Sequence, residues 1–145
     1  MSTIREQILQ ALSVIAASVP GIAATSLTRE RASPVAEADC PALDLAPESE
    51  PEPQVLGSGA DRHDLTVVFK IHTAGTGAYA LADPIVQALH AALYTDPTLG
   101  NLASGILPGA TDFARDDADQ TIGRTSIRYI VVYTTRRGDL TRAIN

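Results

Sequence analysis

The sequence predicts an α+β domain, a mostly antiparallel sheet of about four to five strands with two amphipathic helices packed on one face. Three observations lead there. Apolar residues recur at helical spacing in two segments, one near the start of the chain and one near its middle. Two other segments alternate apolar and polar residues with the period of a strand. The elements follow the order α-β-β-β-α-β-β without internal repeats, in a chain of 145 residues that has room for one domain, 1–145, and not for two.

Thr3 followed by Glu6 forms a capping box, in which each side chain satisfies an orphan backbone N–H, so the first helix starts near Ile4. Ile4, Ile8, Leu12, Ile15 and Val19 give it one apolar face, and Pro20-Gly21 ends it. Ile22 to Arg31 alternates weakly and reads as an edge strand. Ala42 to Ala46, with Leu43 and Leu45 around Asp44, reads as another, because Pro41 and Pro47 cannot donate to a ladder. Pro47 to Asp61 holds three prolines, three glutamates and Gly57-Ser58-Gly59, too little apolar matter for a core. A mobile loop is expected at 47–61.

Leu65, Val67, Phe69 and Ile71 then alternate with more polar neighbours and mark the clearest strand. After a turn at Thr73 to Gly77, Leu81, Ile85, Ala88, Leu89 and Ala92 outline the second helix. Proline fits only the first helical turn, so Pro84 puts the start within about four residues before it, with Asp83 placed to cap. Thr98 to Gly109 reads as a connector whose leucines plug one end of the core, and Thr111 to Asp119 as polar. Thr125 to Thr135 is a long strand with Ile127, Tyr129, Val131 and Tyr133 on one face and Ile130 and Val132 on the other. A strand apolar on both faces is central, or another subunit covers it.

Composition narrows function. The formal charge is −6, which argues against nucleic acid or an anionic membrane as the main partner, and no stretch reaches the ~20 apolar residues of a membrane-spanning helix. Glu6, Gln10 and Ser13 interrupt the N-terminal apolar run, which therefore does not read as a secretory signal. Cys40 is the single cysteine, and it shares no short ligand spacing with His63, His72 or His90, so neither a metal nor another cofactor is expected. Asp112, Asp116, Asp117 and Asp119 lack the alternation and central glycine of a calcium loop and read as a solvated turn. There is no nucleophile elbow and no dinucleotide fingerprint, and Arg137-Gly138-Asp139 is an incidental tripeptide. An interaction role is the expectation. The rival is a small cytoplasmic enzyme pairing a carboxylate of the Asp112 to Asp119 turn with His72 or His90.

Asp96-Pro97-Thr98-Leu99-Gly100-Asn101-Leu102-Ala103, then Ala118-Asp119-Gln120, then Ile127-Arg128-Tyr129-Ile130-Val131-Val132-Tyr133-Thr134, resembles the phage tail terminator (tail completion, minor tail protein U-like) family. The likeness spans Leu65 to Thr135 and, loosely, the first helix. Asn101 stands where the family commonly has a second glycine, and the proline-glutamate loop has no counterpart. The resemblance implies a non-enzymatic α+β subunit that closes into a hexameric ring on the tail tube, stops its growth and offers a surface to the head. Its implied partners are further copies of itself, the major tail tube protein and a head-tail connector protein, in a virion tail assembled in the bacterial host cytoplasm. A neighbouring head-tail joining (neck) protein is the alternative within that class. A ring needs complementary patches. Arg115, Arg124, Arg128 and Arg136, with Asp116, Asp117 and Asp119, offer charge for subunit or tube contacts. Val132 offers apolar area, and Glu48, Glu50 and Glu52 offer acid from the loop. Six copies would carry a formal charge of about −36, suited to letting DNA pass rather than gripping it.

Overall fold

The computed structural model describes residues 2–22, 27–31, 33–116 and 121–144. It has two helices and one mostly antiparallel sheet, as the fold class requires. Helix α1 spans Ile4–Ala17 and α2 spans Ala78–Leu93. The strands are β1 (Leu27–Arg29), β2 (Ala42–Ser49), β3 (Gln54–Leu56), β4 (Ala60–Ala74), β5 (Gly105–Arg115), β6 (Ile122–Arg136) and β7 (Asp139–Ala143). Seven strands exceed the four or five expected. Their order is β1-β2-β4-β6-β5, with β3 added on β4 and β7 on β6, and only the β1–β2 pair is parallel.

The spine is the β4–β6 pair, 15 residues in each strand, in register from Ala60 opposite Arg136 to Ala74 opposite Ile122. Cross-strand partners share a face, so Phe69 opposite Ile127 and Leu65 opposite Val131 fix the inner face, and Lys70 opposite Ser126 and His72 opposite Arg124 fix the outer one. Both helices cover the inner face. Ile8 and Leu12 of α1 and Leu89 and Leu93 of α2 close over Leu43, Leu45, Leu65, Val67, Phe69 and Ile71, all essentially sealed from water. Each such side chain contributes roughly 1.5–3 kcal/mol of burial free energy. Thr3 caps α1, its Oγ1 accepting the Glu6 N–H at 3.2 Å, but the other half of the expected box is not seen: the Glu6 carboxylate accepts from the Arg29 guanidinium at 2.8 and 3.2 Å instead.

Four further expectations need correction. Helix α2 starts at Ala78, six residues before Pro84, so the proline lies inside it and Asp83 does not cap it. Gly77 does, at φ 76°, without a side-chain bond. Ala78 and Ala82 are buried there and tie the extra turn to the sheet. β2 is not an edge strand, because β1 pairs with Leu43–Leu45. Pro47 falls where β1 has already ended, which is why a proline is tolerated. Thr98 to Gly109 and the polar stretch after it are not all connector and turn, since Gly105–Arg115 is β5. Its leucines divide: Leu99 is buried, Leu107 half out in solvent. The segment at 47–61 is not unpaired: β2 continues to Ser49, and β3 forms a hairpin with Ala60–Arg62 through the Gly57-Ser58-Gly59 turn.

Candidate functional site

The segment Pro47 to Leu56 acts as a strap held by polar contacts. A register shift between Pro47 and Ser49 bulges β2, and a bulge re-aims the side chains that follow it. Glu48 and Glu50 would share a face in a regular strand. Here they part. Glu48 goes to the outer face, where its carboxylate accepts Arg128 Nε at 2.7 and 3.0 Å, and Arg128 Nη1 also donates to Asp112. Those carboxylates hold the Arg128 guanidinium above its ordinary pKa, against the opposing pull of desolvation. Glu50 goes to the inner face, where it accepts from the Tyr133 hydroxyl and from Arg5 of α1. His63 lies beside it, Nδ1 3.8 Å from the Glu50 carboxylate, its ring stacked on Tyr133 at 4.6 Å and its Nε2 sharing a 2.8 Å bond with Thr135 Oγ1. Burial, reinforced by Glu50, pushes the Tyr133 hydroxyl far above the usual phenol range.

Arg137 ties down the hairpin, donating to Leu56 O at 2.7 Å and pairing with Asp61 at 3.2 Å. Glu52, exposed between Pro51 and Pro53, has no bond or ion pair among the described residues.

The far end of the outer face differs. His72 is 5% exposed, and neither ring nitrogen has a hydrogen-bond partner among the described residues. Burial lowers its pKa to about 4, with Arg31 and Arg124 adding to that and Asp44 and Asp116 opposing it. Asp44 is itself held, accepting the Arg31 backbone N–H at 3.3 Å and the Thr28 hydroxyl at 3.4 Å. Lys70 stands opposite Asp44 across the β2–β4 ladder.

Strand β5 forms the open side of the sheet, with residues 107–113 all exposed. Leu107 is 51% exposed and Phe113, one of two phenylalanines in the chain, 61%. Phe113 meets Tyr79 of α2 edge-on at 5.4 Å, and the Arg115 guanidinium lies 5.1 Å from the same ring. Pro108 and a bulge between it and Thr111 interrupt the edge.

The residues singled out from sequence thus fall into separate places. Arg128 and Glu48 meet within one chain. Glu50 is part-buried against Tyr133, and Glu52 has no partner among the described residues. Arg124 sits opposite His72, and Arg115 lies over Tyr79. Val132 is half-buried on the outer face opposite Asp64, Arg136 is exposed at the end of β6, and Asp116 is buried with its N–H bonded to Ile122 O at 2.9 Å. Asp117 and Asp119 lie outside the described residues. Sequence reasoning passed over Arg31, Lys70 and Phe113. Lys70 and His72 do share the mixed face of the strand it did find.

For acid–base chemistry the arrangement offers little. His72 and His90 lie on opposite faces of the sheet, the latter bonded through Nδ1 to Tyr129 OH at 2.9 Å, and Asp112 is engaged by Arg128. Burial pushes the Tyr129 hydroxyl up to about 12. A groove of about 670 Å³ between α2 and the Glu37–Pro41 segment is lined mainly by apolar groups such as Leu81, Pro84 and Ile85, with Glu37 and Cys40 its ionisable ones. Among the described residues, no group of three or more His, Cys, Asp or Glu is arranged to hold a metal ion.

No family model matches the chain, and no curated protein matches it. Among solved structures, a chain from the virion of a native gene transfer agent particle is similar at TM-score 0.43 and 12% identity, over 90% of each chain.

Proposed function

We propose that this chain is a phage or prophage tail terminator, a ring subunit that occupies the end of the tail tube, stops its polymerisation and presents a surface for head joining. The observation that carries an assembly role is β5, a long edge strand left uncovered with Leu107 and Phe113 in solvent. Apolar side chains standing in solvent on an edge strand invite association; the break at Pro108 blunts backbone pairing there but does not cover those side chains. The Asp96 to Ala103 and Ile127 to Thr134 resemblance selects the terminator among assembly roles. Asp96 shapes that turn, its carboxylate accepting Thr98 Oγ1 at 2.8 Å and Gly100 N at 2.9 Å while Leu99, Gly100 and Asn101 all take positive φ.

In this reading the chain is not an enzyme, needs no cofactor, and works in the virion tail after assembly in the host cytoplasm. Its partners are other copies of itself in a hexamer, the major tail tube protein and a head-tail connector protein. Tube subunits add to an end that regenerates itself, so growth stops only when something occupies that end without recreating it. The test is a clean deletion together with addition of purified protein to growing tubes. Tubes of uncontrolled length in the deletion, and arrest in proportion to tube ends on addition, are expected. Tubes of normal length that fail to join heads would point to a neck protein, and tails of normal length joined to heads would refute the role.

A further inference from the structure

Arg31, Lys70 and Arg124 are in no ion pair among the described residues, although the chain carries a net −6. They occupy one patch. Arg124 stands opposite His72 on the β4–β6 ladder, Lys70 is two residues before His72, and Arg31 donates its backbone N–H to Asp44 and acts electrostatically on His72. Each is half-buried; among the described residues, Arg31 Nε and both His72 ring nitrogens are buried without partners, and Asp44 and Asp116 are the carboxylates that act on His72. Among the described residues, three cations against two carboxylates leave a local positive excess in an acidic protein.

Glu52 has the opposite character. It is exposed, unpaired and held between two prolines, which limit the backbone freedom lost on docking. Glu48 and Glu50 anchor the strap just before it, and Arg137 anchors the hairpin just after. Glu52 cannot reach the patch in its own chain. Ser49 pairs with Thr66, the strap leads away from there toward the start of β4, and Thr66 to His72 alone spans roughly 20 Å.

We propose that the cationic patch of one subunit seats Glu52 of a second copy, so that the Pro51-Glu52-Pro53 tip docks against Arg31, Lys70 and Arg124. This rests on the ring reading and names its contact. The two patches are different surfaces at opposite ends of the β4–β6 spine, so the contact is heterologous, the kind that closes rings. Opposite local charges also orient the encounter of two chains that repel each other overall.

The experiment is native mass spectrometry with sedimentation velocity over a concentration series, on wild type, Arg124→Glu, Glu52→Lys and the double charge swap. All four would be checked for folding by circular dichroism and melting. Each single reversal should raise the concentration at half-assembly tenfold or more, and the swap should recover most of that loss. If wild type forms rings and the single variants assemble equally well, the contact is wrong while the ring stands. If both singles weaken assembly but the swap restores nothing, the pairing is wrong. A wild type that stays monomeric throughout overturns the ring and the contact together. If wild type binds a short DNA duplex and Arg124→Glu loses that binding with assembly unchanged, the patch holds phosphate, and the proposal falls.

Discussion

Removing the Glu50 carboxylate should destabilise the fold by an amount the structure allows to be worked out. Glu50→Ala strips the acceptor from the Tyr133 hydroxyl, which sits on a side chain 2% exposed. A buried donor left without its charged acceptor costs roughly 1–3 kcal/mol. Arg5, 45% exposed, re-enters solvent, so losing its pair adds only about 0.2–1 kcal/mol. The sum is about 1–4 kcal/mol. For a chain of this length each kcal/mol lowers the melting temperature by roughly 3 °C, so a drop of about 4–12 °C is expected by calorimetry. Tyr133→Phe removes the donor instead of the acceptor, and the double variant should then lose less than the two singles added together, by 1 kcal/mol or more. Additive losses, or a Glu50→Ala protein within about 0.5 kcal/mol of wild type, would show that the strap is not held by this bond.

His72 is neutral in the fold down to about pH 4 and titrates near 6.5 when unfolded, so below pH 6.5 the unfolded chain takes up a proton that the fold refuses. Wild type should lose up to about 3 kcal/mol between pH 6.5 and 4 from this group. His72→Leu should lack that share of the acid slope in urea titrations, and two parallel slopes would refute it. Gly123→Ala should cost about 1–3 kcal/mol, because its Cβ would lie 2.8 Å from Ala78 Cβ and press the start of α2 off β6. A denaturant midpoint unchanged from wild type would argue that α2 can give way. Amides of Gln54–Leu56 should exchange far faster than those of Val67–Ile71, since polar anchors alone hold the strap. Equal protection by hydrogen-exchange mass spectrometry would contradict that.

Periodic burial was legible in the sequence, and the two central strands and α1 follow from it. The alternation of Leu65 to Ile71 and of Ile127 to Tyr133 reports one sealed face each, and Thr3 reports a cap that forms, although Glu6 turns to Arg29 rather than back to the cap. Strand β5 hid because an edge strand is specified by its partner's hydrogen bonds, not by its own side chains, and Pro108-Gly109 looks like a turn. The start of α2 hid because Ala78 and Ala82, small residues with weak signals, bury well enough to carry the helix past Pro84. The division of Glu48 from Glu50 depends on a bulge, which no alternation pattern announces. Arg128 and Arg124 look alike in sequence, but Arg128 has Asp112 and Glu48 in reach and Arg124 has neither. Pairing is a property of the register.

The β4–β6 spine also gives the molecule a strong axis and a weak one. Its hydrogen bonds run across the strands, between partners 15 residues deep, over a length of roughly 50 Å. Pulling the two strands past each other loads all of those bonds in shear at once. A slip of even one residue would turn Leu65, Val67, Phe69 and Ile71 out of the core. Pulling Ala60 away from Arg136 instead opens the ladder one pair at a time from its end. Force along the strands therefore meets the whole sheet, and force across its end meets a single pair. Single-molecule extension along the two directions should give rupture forces that differ accordingly.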